Sequence, residues 1–270
     1  HAAVIYPGHI MLSACPGSGK TRAIIAKLMR AVEDVRGTPR AIACITYTNT
    51  AVYEIEARLR RHLPADDELH FDVSTIHSFC LNHILRPFRH LVPGLERHCQ
   101  ILTPDSDAFA TFVTNACADH NRFNLRRSDF EEFANLQVNL KGEPIGASVV
   151  SGGVRPLEAQ LFWQLIRKKG YVDFCSILYL SYCLLRDHPY IADALASRFA
   201  ALMVDEFQDT TDIQVEILAL IAQRRRTTFF LVGDPSQSIF GFAGARPDLA
   251  ADFAERIGAA THLTLTRNFR

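Results

Sequence analysis

The 270-residue sequence predicts an α/β fold with a parallel sheet, interrupted by a small helical insertion. Three observations support this fold class. Short runs rich in Ile, Val and Leu recur along the chain, and each has strand length and is apolar on both faces, which is typical of buried parallel strands. Helical segments separate several of these runs, as in α/β proteins. A glycine-rich turn joins the first run to the first long helix.

The predicted strands are, in chain order, HIMLSA, AIACITYT, FDVSTI, ALMVDE, TFFLVGD and HLTLT. The segment TRAIIAKLMRAVEDV follows the first strand and places Ile24, Leu28 and Val32 on one helical stripe. An apolar stripe of this spacing predicts an amphipathic helix packed on the sheet. The alternation therefore starts at the N-terminal end of the chain and resumes near its C-terminal end.

The strand pattern fades between about Thr103 and Gly170. There, SDAFATFVTNACADH and PLEAQLFWQLIRKK have the character of helices, and the Gly- and Pro-rich stretch KGEPIGASVVSGGVRP predicts a loop between them. We therefore predict a first α/β part over residues 1–103, a helical insertion over 104–170 and a second α/β part over 171–270.

Composition excludes some classes of protein. Lys and Arg together number 29, as do Asp and Glu, so the chain has no overall positive charge that would indicate nucleic-acid binding. Local basic clusters do occur, and most of them are expected to be solvated: RLRRH, RPFRH, RKK and RRR. Seven cysteines without CxxC spacing predict buried thiols in a reducing compartment. With no signal peptide and no apolar run of bilayer length, we expect a cytoplasmic protein without a membrane partner.

The stretch HIMLSACPGSGKT predicts a phosphate-binding P-loop, although Ala14 replaces the first glycine of the pattern G-x-x-x-x-G-K-[ST]. Glycines let backbone N–H groups face a phosphate, and the N-terminus of the following helix adds positive potential. Lys20 would reach the β- and γ-phosphates of ATP, and Thr21 would hold Mg²⁺. The alternative is a glycine-rich turn that only begins a helix. The predicted loop residues are Ala14, Pro16, Gly17, Ser18 and Gly19.

Two further strand ends carry polar residues suited to ATP hydrolysis. In ALMVDEFQD, Asp205 would bind Mg²⁺ and Glu206 would take a proton from the attacking water. In FFLVGDPSQSIFGF, Gln237 could hydrogen-bond the γ-phosphate or that water. Taken alone, the first stretch is an ordinary acidic strand end and the second a polar turn.

The motifs ACPGSGKT, TYTNTAVYEIEARL, STIHSF, DEFQDTTDIQ, VGDPSQSIFGFAGARP and LTRNFR occur in this order. In this the chain resembles the N-terminal half of a UvrD/Rep-type superfamily 1 DNA helicase, nearly from end to end. The resemblance implies a RecA-like P-loop domain of an ATP-driven motor that moves 3′ to 5′ along single-stranded DNA and separates strands at duplex junctions. It also implies that ATP sits between this domain and a second RecA-like domain, which would be absent from this sequence.

The resemblance assigns further residues to the nucleotide. Arg22 would lie near it, Phe269 stands at the position of a tyrosine that stacks on adenine, and Arg270 matches an arginine that approaches the γ-phosphate. Because the second domain would be missing, this chain alone is expected to bind nucleotide weakly, to hydrolyse it slowly if at all, and not to unwind DNA.

The resemblance also implies DNA contacts. Tyr47 and Phe242 stand at positions of aromatic residues on the single-strand track, and Thr75 and His77 match a motif that contacts the DNA backbone. Aromatic stacking is indifferent to base identity and so suits a translocase. The alternative is that both rings are core residues and that the histidine is structural.

Departures from the family pattern leave rival functions open. Ala243 follows the stacking aromatic where arginine is usual, and Cys175 and Ser176 replace the usual acids. No glutamine precedes Lys20, so the chain is expected to be trimmed at its start as well as its end. One rival is another P-loop NTPase, such as a small-molecule kinase. A second is a degenerate helicase-like module that holds DNA or a protein without turnover. RNA in place of DNA is a third possibility.

Overall fold

The computed structural model of the protein describes residues 2–15, 17–234, 247–258 and 261–265. The described strands are β1 (Ile10–Ala14), β2 (Ala41–Thr46), β3 (Phe71–Thr75), β4 (Gln100–Ile101), β5 (Gln137–Val138), β6 (Pro144–Ile145), β7 (Tyr171–Val172), β8 (Phe199–Val204), β9 (Thr228–Gly233) and β10 (Thr261–Leu265).

The described α-helices are α1 (Ala2–Ile5), α2 (Lys20–Val35), α3 (Asn49–His62), α4 (Ile76–Cys80), α5 (Asp107–Ala118), α6 (Arg127–Ala134), α7 (Ala147–Val150), α8 (Pro156–Lys168), α9 (Phe174–Asp187), α10 (Pro189–Arg198), α11 (Asp212–Ala222) and α12 (Pro247–Arg256). Short 3₁₀ turns cover Ala65–His70, Arg89–Leu91 and Phe207–Asp209, and a π-helical turn covers Leu81–Leu85.

Six strands form one parallel sheet in the order β10-β1-β9-β8-β2-β3. They coincide with the six apolar runs in which the sequence predicted strands, so the predicted α/β fold with a parallel sheet is confirmed. In the register, Leu12 of β1 lies opposite Val232 of β9, and Cys44 of β2 lies opposite Met203 of β8. All four side chains are buried, because helices cover parallel strands.

The chain divides into two compact units, and the first comprises residues 1–79 and 185–270. Its core joins the sheet to α2 and α3. Ile24, Leu28 and Val32 of α2 are each 0% exposed, which confirms the predicted stripe. Arg40 ties the amino ends of three strands together, since its guanidinium donates hydrogen bonds to the carbonyls of Phe199 and Arg226.

The second unit comprises residues 80–184 and has its own apolar core, built from α5, α6 and α8. It also holds two small sheets, β4 with β7 and β5 with β6. The predicted insertion, residues 104–170, lies within this unit. The predicted loop over residues 141–156 was wrong in part, because it contains β6 and α7. Elements of two to four residues are too short to show a hydrophobic period.

None of the seven cysteines, all of which are described, forms a disulfide bond. Cys44, Cys80 and Cys117 are buried, and burial raises the pKa of Cys117 to about 11. Thiols of this kind are protonated near neutral pH and pack as small apolar groups. No helix in the described part of the chain has both the length and the apolar character needed to cross a bilayer.

Candidate nucleotide-binding site

The parallel sheet brings the predicted site residues to one edge. Parallel strands have their carboxyl ends on the same side, where ligands of α/β proteins usually bind. The glycine-rich turn follows β1, Tyr47 follows β2 and Thr75 ends β3. Asp205 follows β8, and Asp234 follows β9. Segments far apart in the sequence therefore meet at this edge.

The turn between β1 and α2 has the backbone that its glycines allow. Gly17 and Gly19 have φ of 73° and 92°, which residues with a Cβ rarely adopt. The hydroxyl of Ser18 donates to the carbonyl of Cys15 over 2.6 Å, which closes the turn. No described side chain caps the start of α2, so its first backbone N–H groups can receive an anion.

The predicted phosphate-binding lysine contacts the predicted base. Nζ of Lys20 lies 2.8 Å from Oε2 of Glu206, which is 186 residues away in the sequence. The Lys20 side chain is 13% exposed and that of Glu206 is 36% exposed, so the pair is partly shielded from water. The sequence did not predict this ion pair, although it placed both residues in the same site.

Glu206 itself has an unusual backbone. Its φ of 49° and ψ of 44° lie in the left-handed region, which typically raises the energy of a residue with a Cβ by about 1–2 kcal/mol. The strained turn lies directly between the end of β8 and the 3₁₀ turn Phe207–Asp209. Such strain is often found at functional sites and must be held by surrounding contacts.

Asp205 continues β8 by one residue, because its N–H donates to the carbonyl of Ile45 over 2.9 Å. Its Oδ1 accepts the N–H of Glu206 at 3.0 Å. Burial, followed by the charge of Glu206, raises the pKa of Asp205 to about 6, although Lys20 acts in the opposite direction. A cation beside this carboxyl would therefore favour its ionised form.

Thr21 and Asp205 are the residues that could hold Mg²⁺. Thr21 lies in the first turn of α2 and is half-buried. Among the described residues, no group of three or more His, Cys, Asp or Glu side chains could hold a metal. A hydroxyl and one carboxylate still suit Mg²⁺, since this ion keeps several waters and takes further oxygens from substrate phosphates.

Gln208 is a site residue that the sequence reasoning missed. It is 3% exposed, its Nε2 donates to Oε2 of Glu206 over 2.8 Å, and its Oε1 accepts the N–H of Asp234 at 2.9 Å. A Cβ on Gly233 would lie 2.6 Å from that Oε1. Gln208 therefore joins the ends of β8 and β9. The only signal in the sequence was a polar residue within DEFQD.

Asp209 is a second residue that was missed. It is 6% exposed, and its Oδ1 has no hydrogen-bond partner in the described part of the chain. Burial raises the pKa of Asp209 to about 6, with the charge of Glu206 adding to the effect. Within the described part of the chain, the three carboxyls of Asp205, Glu206 and Asp209 thus share the cation of Lys20.

Of the remaining predicted nucleotide residues, the structure describes Ala14 and Arg22. Ala14, at the end of β1, is 2% exposed. Arg22 lies in the first turn of α2 and is exposed. Pro16 and Gln237 lie outside the described residues. Phe242, Ala243, Phe269 and Arg270 lie outside them as well, so the predictions for these positions stay predictions.

Of the predicted DNA-contacting residues, Tyr47 is 40% exposed, so its ring is not part of the buried core. Burial of the rest raises the pKa of its hydroxyl, and the charge of Asp209 adds to this. The Thr75 hydroxyl accepts the N–H of Ser78 at 3.2 Å, as a helix cap does. Burial lowers the pKa of His77, so this ring is neutral near pH 7.

Comparison with known proteins identifies the family. A sequence model of the UvrD/REP helicase N-terminal domain matches residues 1–257. The chain belongs to the UvrD/REP helicase N-terminal domain family. The resemblance seen in the motifs is thereby confirmed, and the parallel sheet with its glycine-rich turn is the fold expected of this UvrD/REP domain.

Curated relatives of this UvrD/REP domain include ATP-dependent DNA helicases. PcrA of Leuconostoc citreum is 27% identical over 97% of this chain and 35% of its own length. Rep of Salmonella typhimurium is 26% identical over 100% of this chain and 40% of its own length. Rep of Escherichia coli strain K12 is 26% identical over 97% and 39%. The chain thus spans about two fifths or less of the length of these relatives.

Proposed function

We propose that this chain is the ATP-binding domain of a DNA helicase that couples ATP hydrolysis to 3′–5′ movement on single-stranded DNA and to the separation of duplex strands. The observation that carries the proposal is the contact between Lys20 and Glu206, because it joins the glycine-rich turn to the acidic strand end. Membership of the UvrD/REP family and the names of the relatives support the same function. A second RecA-like domain outside this chain would close the nucleotide site.

ATP binding would require Lys20 to change partners. The phosphates would lie at the start of α2, where backbone N–H groups and Lys20 can reach them. Lys20 now contacts Glu206 over 2.8 Å, so it would exchange this carboxylate for phosphate oxygens. Thr21 and Asp205 would hold Mg²⁺, which supplies positive charge beside the phosphates when it is bound.

The same exchange would prepare Glu206 for hydrolysis. Once Lys20 turns to the phosphates, the Glu206 carboxylate is no longer held by a cation and can accept a proton from the attacking water. Gln208 would keep that carboxylate in place through its 2.8 Å hydrogen bond. Gln237 would sense the γ-phosphate, and Arg270 would stabilise the charge that develops on it.

The DNA contacts are proposals of the same kind. Tyr47 and Phe242 would stack on bases, and Thr75 with the neutral His77 would contact the backbone through hydrogen bonds rather than charge. Tyr47 is close enough to Asp209 for the carboxylate to influence its pKa, so a DNA contact would lie near the hydrolytic carboxyls. This proximity offers a physical route for coupling DNA binding to hydrolysis.

The test is ATPase activity of the full-length protein, measured with and without single-stranded DNA. We expect turnover that DNA stimulates, and we expect Lys20→Ala to abolish it while the protein stays folded. Arg30→Ala removes a cation from the exposed face of the same helix and serves as the matched control. Near-normal turnover in folded Lys20→Ala protein would contradict the site assignment.

A module that binds DNA without turnover is the second candidate. The replacement of a usual arginine by Ala243, and of usual acids by Cys175 and Ser176, is the observation that favours it, because these residues depart from the pattern of the active family. DNA binding by the full-length protein, without ATP hydrolysis at any DNA concentration, would support this candidate over the helicase.

A further inference from the structure

A cavity of about 260 Å³ lies in the second unit, between residues of α8 and α9. Residues of β7 and of the β5–β6 hairpin also border it. The role proposed above for the nucleotide site uses none of its lining residues. We call it the α8–α9 cavity and define it by the residues that carry most of its aromatic and polar groups: Gln160, Trp163, Arg167, Tyr171, Ser176 and Tyr179.

One face of α8 lines the cavity. Gln160, Trp163, Gln164 and Arg167 follow one another at intervals of three, one and three residues, which places them on the same side of the helix. The apolar core of the unit uses another face of α8, on which three residues are buried: Ala159, Phe162 and Ile166. Packing of the core therefore does not explain the polar residues of the cavity-lining face.

Three aromatic residues line the cavity: Trp163, Tyr171 and Tyr179. The indole N–H of Trp163 donates to Oδ2 of Asp173 over 3.0 Å. Gly142, with φ of 83°, approaches the Tyr179 hydroxyl so closely that a Cβ would overlap it. Because such contacts already fix these rings, a flat ligand can pack on them without the entropy cost of ordering flexible side chains.

The charge of the cavity lining comes from a single residue among those described, Arg167, which is half-buried. No carboxylate of the described residues forms an ion pair with this guanidinium. Within the same part of the chain, the side chains of Gln160, Gln164 and Ser176 form no hydrogen bond. A guanidinium without a counter-ion, beside unused hydrogen-bonding groups, favours a ligand that carries an anionic group.

Ser176 stands where an acid is usual in the UvrD/REP pattern, and it lines this cavity. It lies in the first turn of α9, and its N–H donates to Oδ1 of Asp173 over 2.9 Å. A carboxylate at position 176 would share the cavity with Arg167 and repel an anionic ligand. Serine adds no charge, so this departure from the family pattern suits the binding of an anion.

We propose that the α8–α9 cavity binds a small aromatic carboxylate. The ring would lie against the aromatic residues of the lining, and the carboxylate would accept hydrogen bonds from Arg167. The volume is slightly below the range of about 300–1,000 Å³ that is typical of ligand pockets, so it suits a single ring with a short acidic side chain. The proposal does not depend on the helicase function.

The fluorescence of Trp163 provides the test, because this is the only tryptophan of the chain. Phenylacetate is titrated into the 270-residue chain, with excitation at the red edge of the tryptophan band, where phenylacetate does not absorb. Phenylacetamide offers the same ring without the charge, and acetate offers the charge without the ring. We expect a saturable change with phenylacetate, at concentrations roughly tenfold lower than with either of the other two probes.

Arg167→Gln removes the guanidinium and should weaken phenylacetate binding by roughly tenfold, the effect of losing a hydrogen bond to a charged group. Its affinity for phenylacetamide should equal that of the parent chain. Lys168→Gln is the matched control, since it makes the same change of charge at the next residue, which is exposed and does not line the cavity. This control should bind both probes as the parent does.

Ser176→Asp tests the same point without altering the guanidinium. A carboxylate in the first turn of α9 is favourable for the helix, so the variant should fold. We expect it to weaken phenylacetate binding by at least about tenfold, through repulsion and through competition for Arg167. Ser128→Asp, at an exposed position in the first turn of α6, is the control and should bind as the parent does.

Circular dichroism establishes which variants are folded, and Ser176→Asp decides the question if Arg167→Gln does not fold. Equal affinity for phenylacetate and phenylacetamide in the parent chain would overturn the proposal, as would the absence of any saturable change. Unchanged phenylacetate binding in a folded cavity variant would overturn it as well. The assay contains neither ATP nor DNA, so phenylacetate binding in a protein without ATPase activity would support the cavity and contradict only the helicase.

Discussion

At the scale of single residues, the acidic segment 205–209 after β8 combines the proposed functional groups with features that lower the stability of the fold. Three carboxyls share one lysine, one carboxyl oxygen has no partner among the described residues, and Glu206 has a left-handed backbone. Burial of charged groups with incomplete pairing lowers stability. We infer that this strand end is shaped for binding ATP and Mg²⁺ and that the rest of the domain must offset its instability.

Asp205 illustrates this loss of stability. Its pKa is raised from 3.8 to about 6, so the folded protein favours the neutral form. The instability is therefore fully present above about pH 6 and is lost as the pH falls toward 4. Asp205→Asn keeps an oxygen that can accept the N–H of Glu206 and should stabilise the fold by roughly 2 kcal/mol at pH 8.

Urea denaturation of the variant and of the parent chain at pH 8 and pH 4 checks this expectation. Asp66→Asn, at an exposed position, is the control and should leave the pH profile of stability unchanged. A stabilisation by Asp205→Asn that is as large at pH 4 as at pH 8 would show that the gain does not come from charge.

Gln208 should act as a positioning residue for Glu206. Gln208→Ala removes its hydrogen bond to Glu206, and Gly233→Ala places a methyl group 2.6 Å from the present position of its Oε1. Each substitution should lower kcat for ATP by roughly tenfold with little change in nucleotide affinity, a loss of the size seen for one hydrogen bond to a charged group. Since the methyl acts through Gln208, the double variant should be no slower than Gln208→Ala.

A double-mutant cycle in the full-length protein measures this coupling. Gln214→Ala is the control, because Gln214 is also buried but its side chain caps α11 by accepting the N–H of Thr211. The control should lose stability and keep kcat. Fully additive effects of Gln208→Ala and Gly233→Ala would rule out the positioning role.

At the scale of elements, α2 is flanked by two glycines of similar conformation but different surroundings. Gly19 at its start has φ of 92°, and Gly37 just after its end has φ of 74°. Neither position is crowded by the described residues, among which a Cβ on Gly19 would meet only Arg22 at 4.0 Å and one on Gly37 would meet nothing within 4 Å. Alanine at either position should lower stability by about 1–2 kcal/mol for the same backbone reason.

Only Gly19→Ala should also weaken nucleotide binding, because the left-handed residue aims the first N–H groups of α2 toward the phosphates. Isothermal titration of ATP into both variants checks this, and thermal melting confirms that their losses of stability match. Equal affinity in the two variants would mean that the turn does not contact phosphate.

At the scale of the whole molecule, each compact unit has an apolar core of its own among the described residues. Phe162 lies at the centre of the second core, with its ring centroid 5.5 Å from that of Phe109 and 5.4 Å from that of Phe133. Leu28 is equally buried in the first core. A separate core is the main requirement for a unit that can unfold on its own.

Phe162→Ala should destabilise residues 80–184 by roughly 3–5 kcal/mol, and Leu28→Ala should act mainly on the other unit, by roughly 2–5 kcal/mol. Hydrogen exchange followed by mass spectrometry locates each loss along the chain. Equal loss of protection in both units for either variant would show that the two cores unfold together.

Local features were predictable from the sequence because the residues that form them are neighbours in the chain. Each strand of the large sheet is one apolar run, and the glycine-rich turn with Lys20 and Thr21 is one continuous stretch. The apolar stripe of α2 follows from the spacing of Ile24, Leu28 and Val32, which matches the period of a helix. The order of the motifs then predicted the family, which the match over residues 1–257 confirms.

The tertiary structure alone decided which side chains meet. Lys20 contacts Glu206 across 186 residues, Gln208 joins two strand ends, and His98 contacts the carbonyl of Lys169 across 71 residues. Such contacts depend on strand order and register, and the residues near each position in the sequence carry no signal for either. The sequence by itself thus determined the fold class, the family and the phosphate-binding turn. Which charged groups pair with each other was decided by the tertiary structure, because the parallel sheet brings the ends of distant strands to one edge.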